Sequence, residues 1–256
     1  MGRALIDGMT RAEVVHSSAV SIVEPDEKSQ SWWKEHRPAC KMANSLAESI
    51  AGAEVVILAV KPDIVEKAAK EGGKGWSGRL VMSVAAGISL EKLTHWLGSD
   101  RVIRVMPNTP CLVGEGASAY CCAAGVSAAD RSLAKSMLSA VGWAGEVAEK
   151  QMDAVTGLSG SGPAYVCLMI EALADGGVLA GLSRDLAITL ATQTVLGTAK
   201  MVLETGQHPA VLKDAVASPG GTTIAGLRAL EQNGVRAGII DAVYAAAMRS
   251  HELGSQ

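Results

Sequence analysis

Up to about residue 150 the apolar positions fall in short, nearly continuous runs set apart by polar or amphipathic stretches. "AVSIVE" (19–24), "EVVILAV" just ahead of Lys61, "RLVMSVA" (79–85) and "RVIRVMP" (101–107) are such runs. Their length and β-branched content predict strands buried on both faces of a parallel sheet. The intervening 26–36, 62–70 and 89–96 predict helices, and "ASAYCCA" (117–123) and "WAGEVA" (143–148) predict further strands around a helix at 127–139. Repeated strand–helix alternation predicts a doubly wound α/β sheet. The opening "MGRALIDGMTRAEVV" differs, because Ala4, Leu5, Ile6 and Met9 recur at helical spacing and the chain starts on an amphipathic helix.

Beyond residue 150 the period changes. Residues 163–181, 184–205, 208–216, 223–233 and 235–252 all read as helices, the longest placed between a Ser183 cap and Gly206. The division is therefore 1–149, α/β, and 150–256, all helical. The long helix is apolar around most of its circumference, which requires deep burial or a second subunit. A half of about 100 residues cannot cover all those faces, so a homo-oligomer is expected.

Composition narrows the function. The 256 residues are 48% hydrophobic and 19% charged, a globular rather than a disordered balance. A net charge of −3 supplies no field for nucleic acid or an acidic membrane surface. No continuous apolar run approaches the roughly 18 residues of a membrane span. Asp7 and Arg11 break the first apolar stretch, so it does not read as a signal peptide. Five cysteines without a C-x-x-C spacing read as scattered buried thiols in a reducing cytoplasm, and five dispersed histidines give no metal site.

In an open α/β sheet, ligands lie beyond the carboxyl ends of the strands. Three strands end in "AVKP" (Ala59, Val60, Lys61, Pro62), "SVAAGIS" (with Ala85, Ala86, Gly87) and "VMPNTP" (with Asn108, Thr109). Small residues there let a flat ring or a pyrophosphate approach the backbone, and the prolines stiffen the turns. One such loop is an ordinary strand end; three on one ridge predict a dinucleotide site. The helical half adds "GLSGSGPAYV" (157–166) and "SPGGTTIAGL" (218–227), each read as a glycine-opened helix start with hydroxyls and free N–H groups for an anion.

Taken together, "AVTGLSGSGPAYV", "LKDAVASPGGTTIAGLRALE", "RVMPNTP", "SVAAGIS" and "LAVKP" resemble pyrroline-5-carboxylate reductase. The resemblance runs from Gly2 to about Leu253. It implies reduction of the C=N bond of 1-pyrroline-5-carboxylate to L-proline by NADPH or NADH. It also implies a Rossmann-like first domain and a helical second domain that forms an interlocked homodimer, often within larger rings. Carried onto this sequence, the substrate residues are Ser218, Gly221, Thr222 and Thr223, with Thr223 hydrogen-bonding the imine nitrogen, and Ser161 and Gly162 opposite. Cofactor contacts are Lys61, Ala85, Ala86, Asn108 and Thr109, joined by Asn44.

The departure lies at the start. Met1-Gly2 match only the end of the family's G-x-G-x-M-G phosphate turn, so about ten residues holding a central strand and two glycines are expected upstream. The chain as it stands is expected to be unstable and to bind cofactor poorly. Glu24 closes its strand where a carboxylate holds the ribose diol of NAD, yet Pro25 follows it and the family often uses NADPH. One rival is a β-hydroxyacid dehydrogenase-like enzyme, which needs a basic lysine that 163–181 lacks, offering only Glu171 and Asp175 besides Tyr165. A second is a cofactor-free scaffold whose helical half still dimerises.

Overall fold

The computed structural model describes residues 1–254. Its Cα packing divides the chain into two units: Met1–Ser161 with the C-terminal residues from Ala245, and Gly162–Tyr244.

The first unit opens on α1 (Gly2–Arg11) and β1 (Ser21–Ile22), followed by α2 (Glu27–His36) and β2 (Lys41–Met42). Then come α3 (Leu46–Ala51), β3 (Val55–Leu58), α4 (Pro62–Gly72), β4 (Leu80–Ser83), α5 (Leu90–Leu97) and β5 (Val102–Met106). It is completed by β6 (Gly116–Cys122), α6 (Ala128–Ser139), β7 (Gly142–Glu146) and the short α7 (Met152–Val155). Strands β3 to β7 form one sheet in chain order, parallel except for the antiparallel β5–β6 pair. Strands β1 and β2 pair in parallel as a separate ribbon that shares no ladder with the larger sheet.

Two expectations change here. The strand predicted over 19–24 shrinks to Ser21–Ile22, because Pro25 removes a ladder donor and the 3-10 turn Ser17–Ala19 occupies its start. The short β2 and α3 were not anticipated: two residues cannot show a period, and α3 is announced only by its Ser45 cap, which accepts from the Glu48 N–H.

Burial follows the patterning. Leu80, Val81, Met82, Ile103 and Val105 are almost wholly buried, as expected of strands covered on both faces. The amphipathic start finds its partner: Ala4, Leu5 and Met9 bury into the core that holds Leu80, Met82 and Ile103, with Ile6 at its margin. Gly8 permits this approach, since a Cβ there would lie 2.1 Å from a Val141 methyl. On the other face Trp76 is fully buried, and its indole N–H donates to the Ala69 carbonyl at 2.8 Å. Each fully buried leucine or methionine of the core, such as Leu80 or Met82, contributes about 1.5–3 kcal/mol. The burial expected of the thiols holds for Cys40, Cys111 and Cys121 but not for Cys167, which is exposed.

No strand follows Glu146 among the described residues. The second unit is α8 (Gly162–Leu179), α9 (Arg184–Thr205), α10 (Pro209–Val216), α11 (Thr222–Gln232) and the start of α12 (Val235–Gly254). Helices α8 and α9 pack on the small residues Ala174, Ala187 and Ala191. Arg184 pairs with Asp175 at 2.5 Å, and Tyr165 donates to the Ala242 carbonyl at 3.2 Å. Several outward apolar residues have little cover among the described residues: Leu179 is 90% exposed and Leu203 83%.

Candidate active site

Residue pairing across the sheet aligns three strand ends. Leu58 lies opposite Ser83, and Ser83 opposite Arg104. The loops at 59–62, 84–89 and 107–110 therefore leave one edge together, as the ridge reading required. At β3, Lys61 is the N-cap of α4, with Pro62 in the first turn, and its exposed ammonium pairs with no acid among the described residues. Gly2 begins α1 without a side-chain cap, and a Cβ on it would reach 3.3 Å from the Ala59 Cβ. Helix start and strand end thus approach with only small groups between them, a surface suited to a pyrophosphate. At β4, Ala85 is buried, Ala86 is exposed, and Gly87 turns in the left-handed region at φ 76°.

Two expected cofactor residues are engaged differently. The Asn108 side-chain carbonyl accepts the Ala117 N–H at 2.8 Å, so Asn108 fixes the start of β6, while neighbouring Thr109 is exposed. The Glu24 carboxylate folds onto the Asp26 N–H at 3.1 Å, and Gln30 donates to the Glu24 backbone carbonyl at 2.7 Å. One Glu24 oxygen is thereby engaged by the residue that caps α2. Asn44 is exposed just past β2, and its N–H leans on Glu48 at 3.4 Å.

The loop containing Ser159–Gly162 corrects the sequence reading. It is not a helix start with free N–H groups. Thr156–Gly160 is a π-helical turn that carries α7 onwards to α8, and the Ser161 N–H donates to the Thr156 carbonyl at 2.9 Å. Ser159 Oγ likewise donates to the Val155 carbonyl at 3.1 Å. Pro163 does sit in the first turn of α8. Gly160 faces Met106: a Cβ there would fall 2.4 Å from the Met106 methyl, so the π-turn packs on the end of β5.

The second glycine loop has the predicted form. Ser218-Pro219-Gly220-Gly221 is a tight turn in which the Gly221 N–H donates to the Ser218 carbonyl at 3.1 Å. Proline second and glycine third, with Gly220 at φ 64°, is the type II arrangement. Gly221 then caps α11 without a side chain, and the Ser218 hydroxyl leans over it, 2.2 Å from where a Cβ would stand. The first-turn N–H groups of α11 are left without a side-chain cap, beside the half-buried Thr223 and exposed Thr222.

Comparison with known proteins settles the lineage. Residues 149–253 match the family model for pyrroline-5-carboxylate reductase dimerisation, and residues 1–87 match the NADP oxidoreductase, coenzyme F420-dependent model. A pyrroline-5-carboxylate reductase of Pisum sativum is 43% identical over 99% of this chain and 92% of its own length. The chain belongs to the pyrroline-5-carboxylate reductase family. The Arabidopsis thaliana member is 55% identical over 80% of this chain and 75% of its own. A crystal structure of the Plasmodium falciparum pyrroline carboxylate reductase with NADP bound superposes with a TM-score of 0.89, at 36% identity, covering 99% of this chain and 94% of that one. The family is one of NAD(P)H-dependent oxidoreductases, and the hydroxyacid dehydrogenase reading is not favoured.

One expectation from composition needs amending. Glu149–Leu179 and Arg184–Thr205 are, by length and composition, apolar enough to cross a membrane, although no uninterrupted apolar run reaches that length. Both lie inside the stretch matched by the dimerisation model.

Proposed function

We propose that this protein reduces 1-pyrroline-5-carboxylate to L-proline at the expense of NAD(P)H. The observation that carries the reading is the type II turn opening α11, which offers uncapped N–H groups and three hydroxyls in six residues. Such a helix start holds a carboxylate through its N–H groups and its dipole. In this reading Ser218 and the backbone of Gly221 and Thr222 take the substrate carboxylate. The Thr223 hydroxyl hydrogen-bonds the ring nitrogen, and Ser161 and Gly162 lie beside the substrate and the nicotinamide. A protonated imine is already electrophilic, so the protein must orient it rather than activate it with a strong base.

Gly2, Ala59, Val60, Lys61 and Pro62 form the first part of the proposed cofactor surface, with Ala85, Ala86, Gly87, Asn108 and Thr109 forming the rest. The close approach of Gly2 to Ala59 and the free Lys61 ammonium fit a dinucleotide. When bound, that cofactor supplies the hydride. Glu24 and Asn44 would border the adenosine end. Either NADPH or NADH suits this surface.

The reading includes a homodimer through the helical half, because Leu179 and Leu203 are too exposed for a chain that stays alone. It also includes a cytoplasmic location, for which the support is five cysteines with no disulfide among the described residues. The direct test follows NAD(P)H oxidation with 1-pyrroline-5-carboxylate beside a 2-hydroxyacid run with NAD(P)⁺. Turnover of the imine alone supports the proposal, and turnover of the hydroxyacid alone overturns it.

A further inference from the structure

The end of α12 returns to the α/β unit and closes on the loop between β4 and α5. A Cβ on Gly254 would stand 3.0 Å from the Gly87 carbonyl oxygen, and one on Gly87 would stand 3.8 Å from the Gly254 nitrogen. The two glycine backbones meet there, with the Leu253 Cβ beside them, also 3.8 Å from where a Gly87 Cβ would stand. The Lys92 ammonium donates to the Gly254 carbonyl at 3.0 Å, satisfying an acceptor that a helix end leaves open. One turn earlier the buried Ser250 donates to Asp153 Oδ1 at 2.7 Å, and His251 Nδ1 lies 3.3 Å from Asp153 Oδ2. Asp153 belongs to α7, just ahead of the π-turn.

The same loop is pinned at its far end. Ser89 accepts the Lys92 N–H at 3.2 Å, and the Leu90 N–H donates to Glu149 at 2.7 Å. Between these anchors Gly87 holds a left-handed conformation with no side chain of its own to fix it. Its order therefore depends on what lies against it.

We propose that the last residues of α12, Leu253 and Gly254, are a clasp that positions the Ala85–Gly87 loop and so sets affinity for the dinucleotide. This inference rests on the reading of that loop as a cofactor surface. Lys92 and Gly254 are positioning residues: they order the loop before the ligand arrives, which lowers the entropy cost of binding.

The test titrates NADPH and NADH into the full chain and measures KM for each reactant. Lys92→Met loses the donor, and Gly254→Val drives a side chain onto the Gly87 carbonyl. Both are expected to raise cofactor Kd and KM roughly three- to tenfold. Substrate KM, kcat and Tm should stay at wild-type values, and Lys92→Arg should restore cofactor binding. Ala86→Arg, within the loop, tests the underlying reading. If Ala86→Arg weakens cofactor while Lys92→Met and Gly254→Val bind as wild type, the clasp is wrong and the loop assignment stands. If Ala86→Arg also binds as wild type, the loop assignment falls. Equal losses in substrate KM, cofactor KM and Tm would mean a merely structural contact and would overturn the clasp.

Discussion

The N–H of Ser161 donates to the carbonyl of Thr156, five residues back, at 2.9 Å. That one bond makes the glycine-serine segment a π-turn inside a helix rather than a loop before one. Single π-turns concentrate at functional sites because they re-aim the side chains around them. Deleting Gly160 should let the helix run on in α register. Far-UV circular dichroism is expected to be unchanged while kcat/KM falls about a hundredfold, the cost of misplacing reacting groups by about an ångström. Full activity in the deletion would separate the π-turn from the chemistry.

Thr223 stands half-buried in the first turn of α11, with its hydroxyl free of side-chain partners among the described residues. Thr223→Val keeps the shape and removes the oxygen. A loss in kcat of about a hundredfold is expected, with Tm within a degree or so of wild type, since no folded-state hydrogen bond is broken. Thr223→Ser should recover most of the rate. A Val variant with normal kcat would remove Thr223 from the reaction.

Arg101 grips Asp130 with two nitrogens, Nε at 2.9 Å and Nη2 at 2.6 Å, while Ser127 and Asp130 cap α6 reciprocally. Asp130 is 5% exposed, and the Arg101 guanidinium holds its carboxyl well below the usual carboxylate range. Asp130→Asn should cost about 2–3 kcal/mol at neutral pH. Because the folded carboxyl titrates below the unfolded one, the ion pair contributes its full stability above about pH 4. The gap between wild type and variant should hold constant down to that pH and narrow below it, as urea melts across pH 3–8 would show.

Burial pushes the Cys121 thiol up to about 12, with nearby Glu149 adding to the effect. At pH 8 it is almost wholly protonated and a poor nucleophile. Iodoacetamide should leave Cys121 unmodified in the native protein and label it only after unfolding, as peptide mass mapping would record. Rapid native labelling would mean that the β5–β6 pair opens far more often than its packing indicates.

Sequence alone fixed the strands β3 to β5 and the five helices of the second half, because long runs with one period leave little choice. It also marked the glycine-opened start of α11, since proline presets its own φ and the glycine after it admits the positive φ found at Gly220. The brief β2 and α3 were illegible for the converse reason: two to six residues cannot display a repeat. Along the chain Asn108 reads as open to a ligand, and Glu24 as a carboxylate whose direction Pro25 leaves undecided. Only tertiary structure gave Asn108 the Ala117 N–H to hold and folded Glu24 onto α2. The π-turn was likewise invisible in composition, because serine and glycine permit either a helix start or a bulge. Packing of Gly160 against Met106 accompanies the bulge in the fold. The meeting of the end of α12 with Gly87 is a tertiary fact entirely, since no local pattern encodes a contact between segments so far apart along the chain.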